Sequence, residues 1–175
     1  MKPLEVMGVR VEMPTNQPIV LLRERDGDRY LPIWIGAAEA TAIAYVQQGV
    51  EPPRPLTHDL IVNVLAELGH EVSAVRIDSL VDGVFFATLV IDGGTEISAR
   101  PSDAIAIALR VGAPVLGSTE VLDDAGVHMP EEQEEDVEAF KDFLESVSPE
   151  DFAEHTAEGG TEEPRQGPGD DAPRG

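Results

Sequence analysis

The sequence contains no cysteine, which excludes a disulfide framework and any metal site built from thiolates. It also has no apolar run long enough to cross a bilayer, and its first residues lack the apolar stretch of a signal peptide. We therefore expect a cytoplasmic protein that makes no contact with membranes. Its 175 residues suffice for one domain with a sizeable core and a tail.

Basic residues are scarce: 12 Lys and Arg stand against 34 Asp and Glu, giving a formal net charge of −22. The imbalance is uneven, since residues 1–126 hold 9 basic and 18 acidic residues, whereas residues 127–175 hold 3 and 16. Non-specific binding to a phosphate backbone requires a positive surface, so it is excluded here. Any contact with nucleic acid must be local, through arginine or through a metal ion held by carboxylates.

Several local motifs of phosphate and metal chemistry are also missing. The sequence has no glycine-rich loop that cradles phosphate, no nucleophile elbow and no zinc-binding motif. Asp26–Asp28 and Asp123–Asp124 are predicted to be turns, because neither has the twelve-residue ligand pattern of an EF-hand. A site, if there is one, must therefore be assembled from residues that lie far apart in the chain.

The most informative segment covers residues 97–112, which have the pattern of a strand end, a corner and a short apolar helix. Arg100 precedes Pro101, and a residue before proline is held in an extended conformation. Ser102 is predicted to be the N-cap, and Asp103 places a negative charge at the positive end of the helix dipole. Polar side chains fixed at such a junction favour a functional site there.

Residues 33–44 repeat this plan. Glu39 stands 64 residues before Asp103, and at the same offset Gly36 corresponds to Arg100. Apolar strands separated by turns precede each copy. We therefore predict an α+β fold of two strand-strand-strand-helix halves, which form a mostly antiparallel sheet with packed helices.

The remaining elements are predicted from propensity and spacing. A proline-rich connector leads to a helix that begins with Thr57 as its N-cap. Trp34 is predicted to lie in the core or at an oligomer contact, and Pro114–Gly117 to form a short edge strand. The helix after the connector carries an apolar stripe at helical spacing, namely Leu60, Ile61, Val64, Leu65 and Leu68.

The composition divides the chain into three parts. Residues 1–126 are predicted to form the folded domain. Residues 127–152 are predicted to add an acidic C-terminal helix, because Val137, Phe140 and Leu144 recur at amphipathic spacing behind a run of glutamates. Residues 153–175 are rich in Gly, Pro, Glu and Asp, which predicts a disordered tail.

Four segments carry a resemblance to a known family: Leu31–Gly36, Glu39–Ala40, Arg54–Leu60 and Ala99–Ala106. Together they resemble the bifunctional nuclease domain family of bacteria and plants. The resemblance implies a compact α+β domain, a homo-oligomer (dimer or trimer) and, from some plant members, nuclease activity on RNA and DNA. The resemblance does not assign a catalytic or binding role to any residue. Ser98 stands where the family often has aspartate, which matters if that aspartate binds an essential metal ion.

The residue types that a nuclease needs are all present near the predicted helix starts. Carboxylates hold Mg²⁺ or Mn²⁺, arginines bind phosphate oxygens in bidentate fashion, and histidine transfers protons near neutral pH. The sequence therefore predicts three sets of site residues: catalytic His58, Asp59 and Asp103; substrate-binding Arg54, Arg100 and Ser102; and metal-binding Glu39, Asp59 and Asp103.

Each of these residues also has a structural explanation. Acids in the first turn stabilise a helix in any case, and an arginine before proline can simply pair with one of them. His58 can be a surface or capping residue, and Ser102 can be a cap alone. The predicted function is a metal-assisted nuclease acting on RNA or DNA. The alternatives are a non-enzymatic module, which is regulatory or binds a small anion, and a protein-interaction module.

Overall fold

The computed structural model describes residues 1–128, which form one mixed sheet of eight strands covered by helices. The strands are β1 (Lys2–Glu12), β2 (Gln17–Glu24), β3 (Arg29–Trp34), β4 (Val72–Val81), β5 (Val84–Ile91), β6 (Thr95–Ala99), β7 (Val115–Gly117) and β8 (Val127–His128). The helices are α1 (Ala37–Gln47), α2 (Thr57–Glu67), α3 (Pro101–Val111) and α4 (Thr119–Ala125). The sheet order is β6-β5-β4-β7-β1-β2-β3-β8.

The prediction of two similar α+β halves is confirmed. In the first half β1, β2 and β3 pair as an antiparallel meander and lead into α1. In the second half β4, β5 and β6 do the same and lead into α3. The tight turns between strands fix this antiparallel pairing, since a short connection joins only adjacent antiparallel strands.

The predicted edge position of Pro114–Gly117 is wrong, because β7 lies in the middle of the sheet. It pairs parallel with β4 and antiparallel with β1, so it joins the two halves. Three extended residues have no pattern that distinguishes an edge from a centre. Gly117 is suited to the inner position, because a Cβ there would come within 2.9 Å of Leu4 Cδ1.

The core lies between the sheet and the two apolar helices. α1 packs against β1 and β2, α3 packs against β4 and β5, and the two helices also pack against each other. Ile43 of α1 and Ile105 of α3 are fully buried. Burial of one such side chain stabilises the fold by about 1.5–3 kcal/mol. The two halves therefore share one core, and the starts of α1 and α3 are held close together.

Helix α2 lies against α3, and most of its apolar stripe is not covered. Leu60 is 55% exposed, Val64 47% and Leu68 67%, and Ile61 is also exposed. Val62 and Leu65 pack on the core instead, and His58 is buried beside them. The periodicity identified an apolar face but could not tell which part of it meets the rest of the domain.

The predicted N-caps Ser102 and Thr57 are both wrong, because each lies inside its helix. Arg100 is the residue before α3, in the extended conformation that the following proline imposes, so the helix begins at Pro101 and Ser102 lies within its first turn. In α2 the residue before the helix is Leu56, and Thr57 is the first helical residue. The Leu56 backbone N–H donates to Asp59 Oδ2 at 2.8 Å, so an acid in the first turn does the capping.

Two elements after β7 were not predicted. Asp123 and Asp124 lie in α4 rather than in a turn, and the Ser118 hydroxyl caps this helix by accepting from the Val121 N–H at 3.0 Å. β8 then pairs with β3, so the sheet extends to His128. The predicted helix within 127–152, beyond this strand, and the predicted disordered tail at 153–175 lie outside the described residues. Within residues 1–128 no helix is long and apolar enough to span a bilayer.

Candidate active site

The starts of α1 and α3 are joined by one guanidinium group. Arg100 donates from Nη2 to Glu39 Oε1 at 2.8 Å and from Nε to Asp103 Oδ2 at 2.7 Å, with a further contact from Nη2 to Asp103 Oδ1 at 3.2 Å. These hydrogen bonds, first those to Asp103 and then that to Glu39, raise the pKa of Arg100 above its ordinary value. The acids at corresponding positions of the two halves thus share one arginine.

The start of α2 adds a histidine to this group. His58 Nε2 lies 2.9 Å from Asp103 Oδ1, and His58 is only 8% exposed. Burial acts to raise the pKa of Asp103, but hydrogen bonds from Arg100 and His58 outweigh it, so this pKa lies below its ordinary value. We call Glu39, His58, Arg100 and Asp103 the four-residue cluster.

The contact with Asp103 fixes the proton of the histidine ring. An ionised carboxylate only accepts hydrogen bonds, so a neutral His58 carries its proton on Nε2. The lone pair of Nδ1 is then left to accept a proton. This is the arrangement in which a carboxylate orients a histidine for acid–base chemistry.

Asp59 faces the other way and does not join the cluster. Its Oδ1 accepts a hydrogen bond from Arg110 Nε, and its Oδ2 accepts the cap bond from Leu56. Arg110 has 7% of its side chain exposed, and it also donates to the carbonyl oxygens of Ala42 and Ala106. Both oxygens of Asp59 are therefore engaged, one in joining α2 to α3 through Arg110 and the other in capping α2 itself.

The structure does not bring Arg54 to the cluster either. Arg54 is exposed on the connector between α1 and α2, and within residues 1–128 its side chain makes no hydrogen bond or ion pair. The two-arginine clamp expected from the sequence is thus reduced to Arg100. Ser102, in contrast, lies one residue from Asp103 and is buried.

A cavity of about 570 Å³ opens beside the cluster, between the two halves of the domain. The first half contributes the end of β3 and the start of α1, and the second contributes the β4–β5 turn and the start of α3. Residues at its border include Trp34, Gly36, Phe85, Arg100 and Ser102. Trp34 is 52% exposed, so it does not lie in the core, and the other part of the prediction, an oligomer contact, stays a prediction.

The tryptophan was missed as a site residue because its strand is otherwise apolar. Leu31 and Ile33 lie on the other face of the strand, but Tyr30 shares the face of Trp34 and is buried, so alternation gave no reason to expect Trp34 to be exposed. Its position at the last residue of β3, directly before the start of α1, was the available signal.

Carboxylates are too few here for a metal site built by the protein alone. Across residues 1–128 no group of three or more His, Cys, Asp or Glu side chains is arranged to hold a metal ion. Glu39 and Asp103 are the two carboxylates of the cluster, and both are bound to Arg100.

The sequence matches the bifunctional nuclease domain family over residues 20–130, which is more than half of the chain. The chain belongs to this family. The match includes all four residues of the cluster and both helix starts that border the cavity.

Similar proteins occur in bacteria and plants. A protein of Mycobacterium tuberculosis strain H37Rv, described as uncharacterized, is 56% identical over 161 residues, which cover 87% of this chain and 98% of the relative. Bifunctional nuclease 2 of Oryza sativa subsp. japonica is 31% identical over 62% of this chain, and that of Arabidopsis thaliana is 29% identical over 57%. The matched region spans only 35% and 32% of these plant proteins.

The departure at Ser98 from the bifunctional nuclease pattern does not affect the cluster. Ser98 pairs with Thr88 in the sheet, while its neighbour Ala99 pairs with the buried Ala87. Because side chains alternate along a strand, Ser98 lies on the sheet face opposite the helices. An aspartate at this position would therefore point away from Asp103.

Proposed function

We propose that this chain hydrolyses phosphodiester bonds of RNA or DNA at the four-residue cluster. Membership of the bifunctional nuclease domain family supports the reaction class. The observation that carries the proposal is the buried His58, which Asp103 orients beside an arginine whose side chain is 67% exposed. Attack by water on a phosphate uses an oriented base that takes a proton from the water and a cation near the phosphate oxygens.

In the proposed reaction His58 acts as the general base. Its Nδ1 takes a proton from a water molecule, the water oxygen forms a bond to phosphorus, and the bond from phosphorus to the leaving oxygen breaks. The leaving oxygen takes up a proton from solvent. His58 then releases to solvent the proton that it took from the attacking water, so atoms and charges balance. Arg100 stabilises the negative charge on the phosphate oxygens, and Glu39 holds Arg100 in place.

Metal assistance by Mg²⁺ or Mn²⁺ is part of the proposal, but no step above depends on it. The described residues do not fit a complete cation cage, since they offer only Glu39 and Asp103. Magnesium is often bound through one or two carboxylates together with substrate phosphates. A cation held in this way also reduces the repulsion between a phosphate and the acidic site.

A homo-oligomer is the proposed assembly. The exposed apolar residues of α2 support it, because contiguous apolar surface of this kind is typical of interaction sites. The family resemblance implies that a second copy of the chain covers this apolar surface of α2.

The test compares two substitutions in the cluster with a matched arginine control. His58→Gln and Arg100→Gln are expected to lower kcat/KM on RNA and single-stranded DNA by roughly 10²-fold or more. Arg25→Gln serves as the control, because Arg25 is exposed on the β2–β3 turn, remote from the cluster. Activity that persists in both cluster variants would overturn the proposed site.

The alternative of a non-enzymatic anion-binding module has its own signature. In that case the purified protein would not cleave nucleic acid, but phosphate or a nucleotide would raise its Tm. If the protein is a nuclease, Arg54→Gln shows whether Arg54 contributes as Arg100 does. We expect this variant to leave kcat/KM unchanged, because Arg54 lies outside the cluster.

A further inference from the structure

We propose that the cavity between the two halves is a nucleotide subsite, in which a base stacks on Trp34 while its phosphate binds Arg100 and Ser102. The inference rests on the proposed function and extends it from the reacting phosphate to the neighbouring base. Nucleotide pockets combine an aromatic or apolar wall with a few fixed polar groups, and a volume of about 570 Å³ is in the usual range for small-molecule sites.

Trp34 is held as a stacking surface. Its side chain borders the cavity and is 52% exposed, which is unusual for so large an apolar group. The indole N–H donates to Glu12 Oε2 at 2.8 Å, so the ring is fixed without being covered. Bases stack on fixed aromatic rings of this kind in proteins that bind single strands.

Ser102 offers a hydroxyl on the same wall. The residue is only 7% exposed and borders the cavity, and its hydroxyl makes no hydrogen bond within residues 1–128. Among these residues only Arg23 Nε and Arg76 Nε are buried without a partner, so the Ser102 oxygen is reached by solvent from the cavity. A hydroxyl at the wall of a cavity, unpaired within the protein, is placed to donate to a phosphate oxygen.

The positive groups at the cavity lie on this side, and Glu39 and Asp103, which pair with Arg100, are not among the residues at its border. Arg100 is 67% exposed and borders the cavity, where both α1 and α3 begin. Each of these helices has eleven residues, and the positive end of a helix dipole attracts anions. The base side and the phosphate side of the cavity are therefore chemically distinct.

The chemistry recognised is one nucleoside monophosphate unit with an accessible base face. A base inside a duplex is stacked on both faces, so it cannot lie on Trp34 without leaving the stack. The unit can belong to a single strand or to a free mononucleotide. The experiment distinguishes these two sources.

Trp34 is the only tryptophan of the full chain, so its fluorescence reports on the subsite directly. We expect AMP to quench the fluorescence of the full-length protein in a saturable way. Ribose 5-phosphate, which lacks the base, and adenosine, which lacks the phosphate, are expected to bind at least roughly fivefold more weakly. Equal quenching by AMP and by ribose 5-phosphate would overturn the stacking contact.

Calorimetry with AMP then tests the residues. Trp34→Ala is expected to raise Kd roughly tenfold, and Phe86→Ala is its control, because Phe86 is 45% exposed on β5 but does not border the cavity. Ser102→Ala is expected to raise Kd roughly fivefold, with the exposed Ser98→Ala as its control. Unchanged Kd in both cavity variants would overturn the subsite.

Cleavage assays separate failure of the subsite from failure of the proposed function. On a single-stranded oligonucleotide Trp34→Ala is expected to raise KM, and on an abasic strand it is expected to match the unmodified protein. Cleavage with no dependence on Trp34 would overturn the subsite and leave hydrolysis standing. AMP binding without any cleavage would overturn hydrolysis, and the subsite would then serve a free nucleotide.

Discussion

Glu39 and Asp103 occupy corresponding positions at the starts of α1 and α3, and both bind the side chain of Arg100. The shared guanidinium connects the two halves of the domain at the mouth of the cavity. It also means that Arg100, the proposed phosphate-binding residue, depends on an acid from the other half. Any change that moves Glu39 is therefore expected to act on Arg100.

Gly36→Ala tests this dependence. The backbone at Gly36 has an ordinary φ of −76°, but a Cβ there would lie 2.2 Å from Glu39 Oε2. The carboxylate must move, so we expect kcat/KM to fall roughly tenfold while Tm changes little. Gly94→Ala is the matched control, because a Cβ at that position meets no atom within 4 Å.

The double variant Gly36→Ala, Glu39→Gln shows whether the loss acts through Glu39. If it does, adding Gly36→Ala to Glu39→Gln causes little further loss of kcat/KM. Fully additive losses would show that Gly36 matters for another reason.

The Asp59–Arg110 pair is expected to make stability depend on pH. Burial acts to raise the pKa of Asp59, but the bonds from Arg110 and from the Leu56 N–H outweigh it, so the folded-state pKa lies below the ordinary 3.8. The unfolded chain thus binds more protons in acid. The stabilisation is complete above pH of about 3.8 and is lost as pH falls through the folded value.

Asp59→Asn removes this contribution. Because Arg110 stays buried without its charged partner, we expect the free energy of unfolding at pH 7 to fall by about 3 kcal/mol, measured by urea titration. The difference from the unmodified protein should shrink at pH 3. Asp123→Asn, whose side chain is 61% exposed beside Arg29, should cost at most about 1 kcal/mol. A constant difference across pH would contradict the assignment.

Metal assistance predicts that chelation slows cleavage. We expect EDTA to lower the rate of hydrolysis of RNA and single-stranded DNA, and added Mg²⁺ or Mn²⁺ to restore it, because two carboxylates beside one arginine repel the substrate phosphate. Glu39→Gln is expected to raise the Mg²⁺ concentration needed for half-maximal rate. Full activity in EDTA would show that His58 and Arg100 act without a cation.

The exposed face of α2 is the surface through which we propose that copies of the chain associate. Leu60→Ser combined with Val64→Ser is expected to shift the mass measured by light scattering toward that of one chain, while the Tm in dilute solution stays nearly unchanged. Val81→Ser is the control, since Val81 is 52% exposed at the end of β4. An unchanged mass in the double variant would place the interface elsewhere.

Local patterns predicted the two halves of the fold well. Apolar runs and the turns between them indicated the strands that precede α1 and α3, because these signals act over a few residues. The position of β7 could not be predicted, since its partners Leu4 and Val75 lie 111 and 40 residues before Val115. The cap at Ser102 failed for a local reason, because Pro101 starts the helix two residues before the start that a cap at Ser102 implies.

The candidate site was predicted in part. Glu39, His58, Arg100 and Asp103 do meet, and their positions at helix starts were the signal for them. Asp59 shares that signal but faces Arg110, because adjacent residues on a helix point in different directions. The sequence could not distinguish Asp59, which binds Arg110, from Asp103, which binds Arg100, because it does not show which residues of neighbouring helices each acid faces.

The central position of β7 has a consequence for biosynthesis. Until Gly117 has left the ribosome, the strands made first and those made later have no backbone hydrogen bonds that connect them into one sheet. Between the synthesis of Ala99 and that of Gly117 the nascent chain thus carries two separate meanders, each with an open border. The three residues of β7 connect them, and a stop codon just ahead of Val115 would leave the two meanders without the strand that joins them.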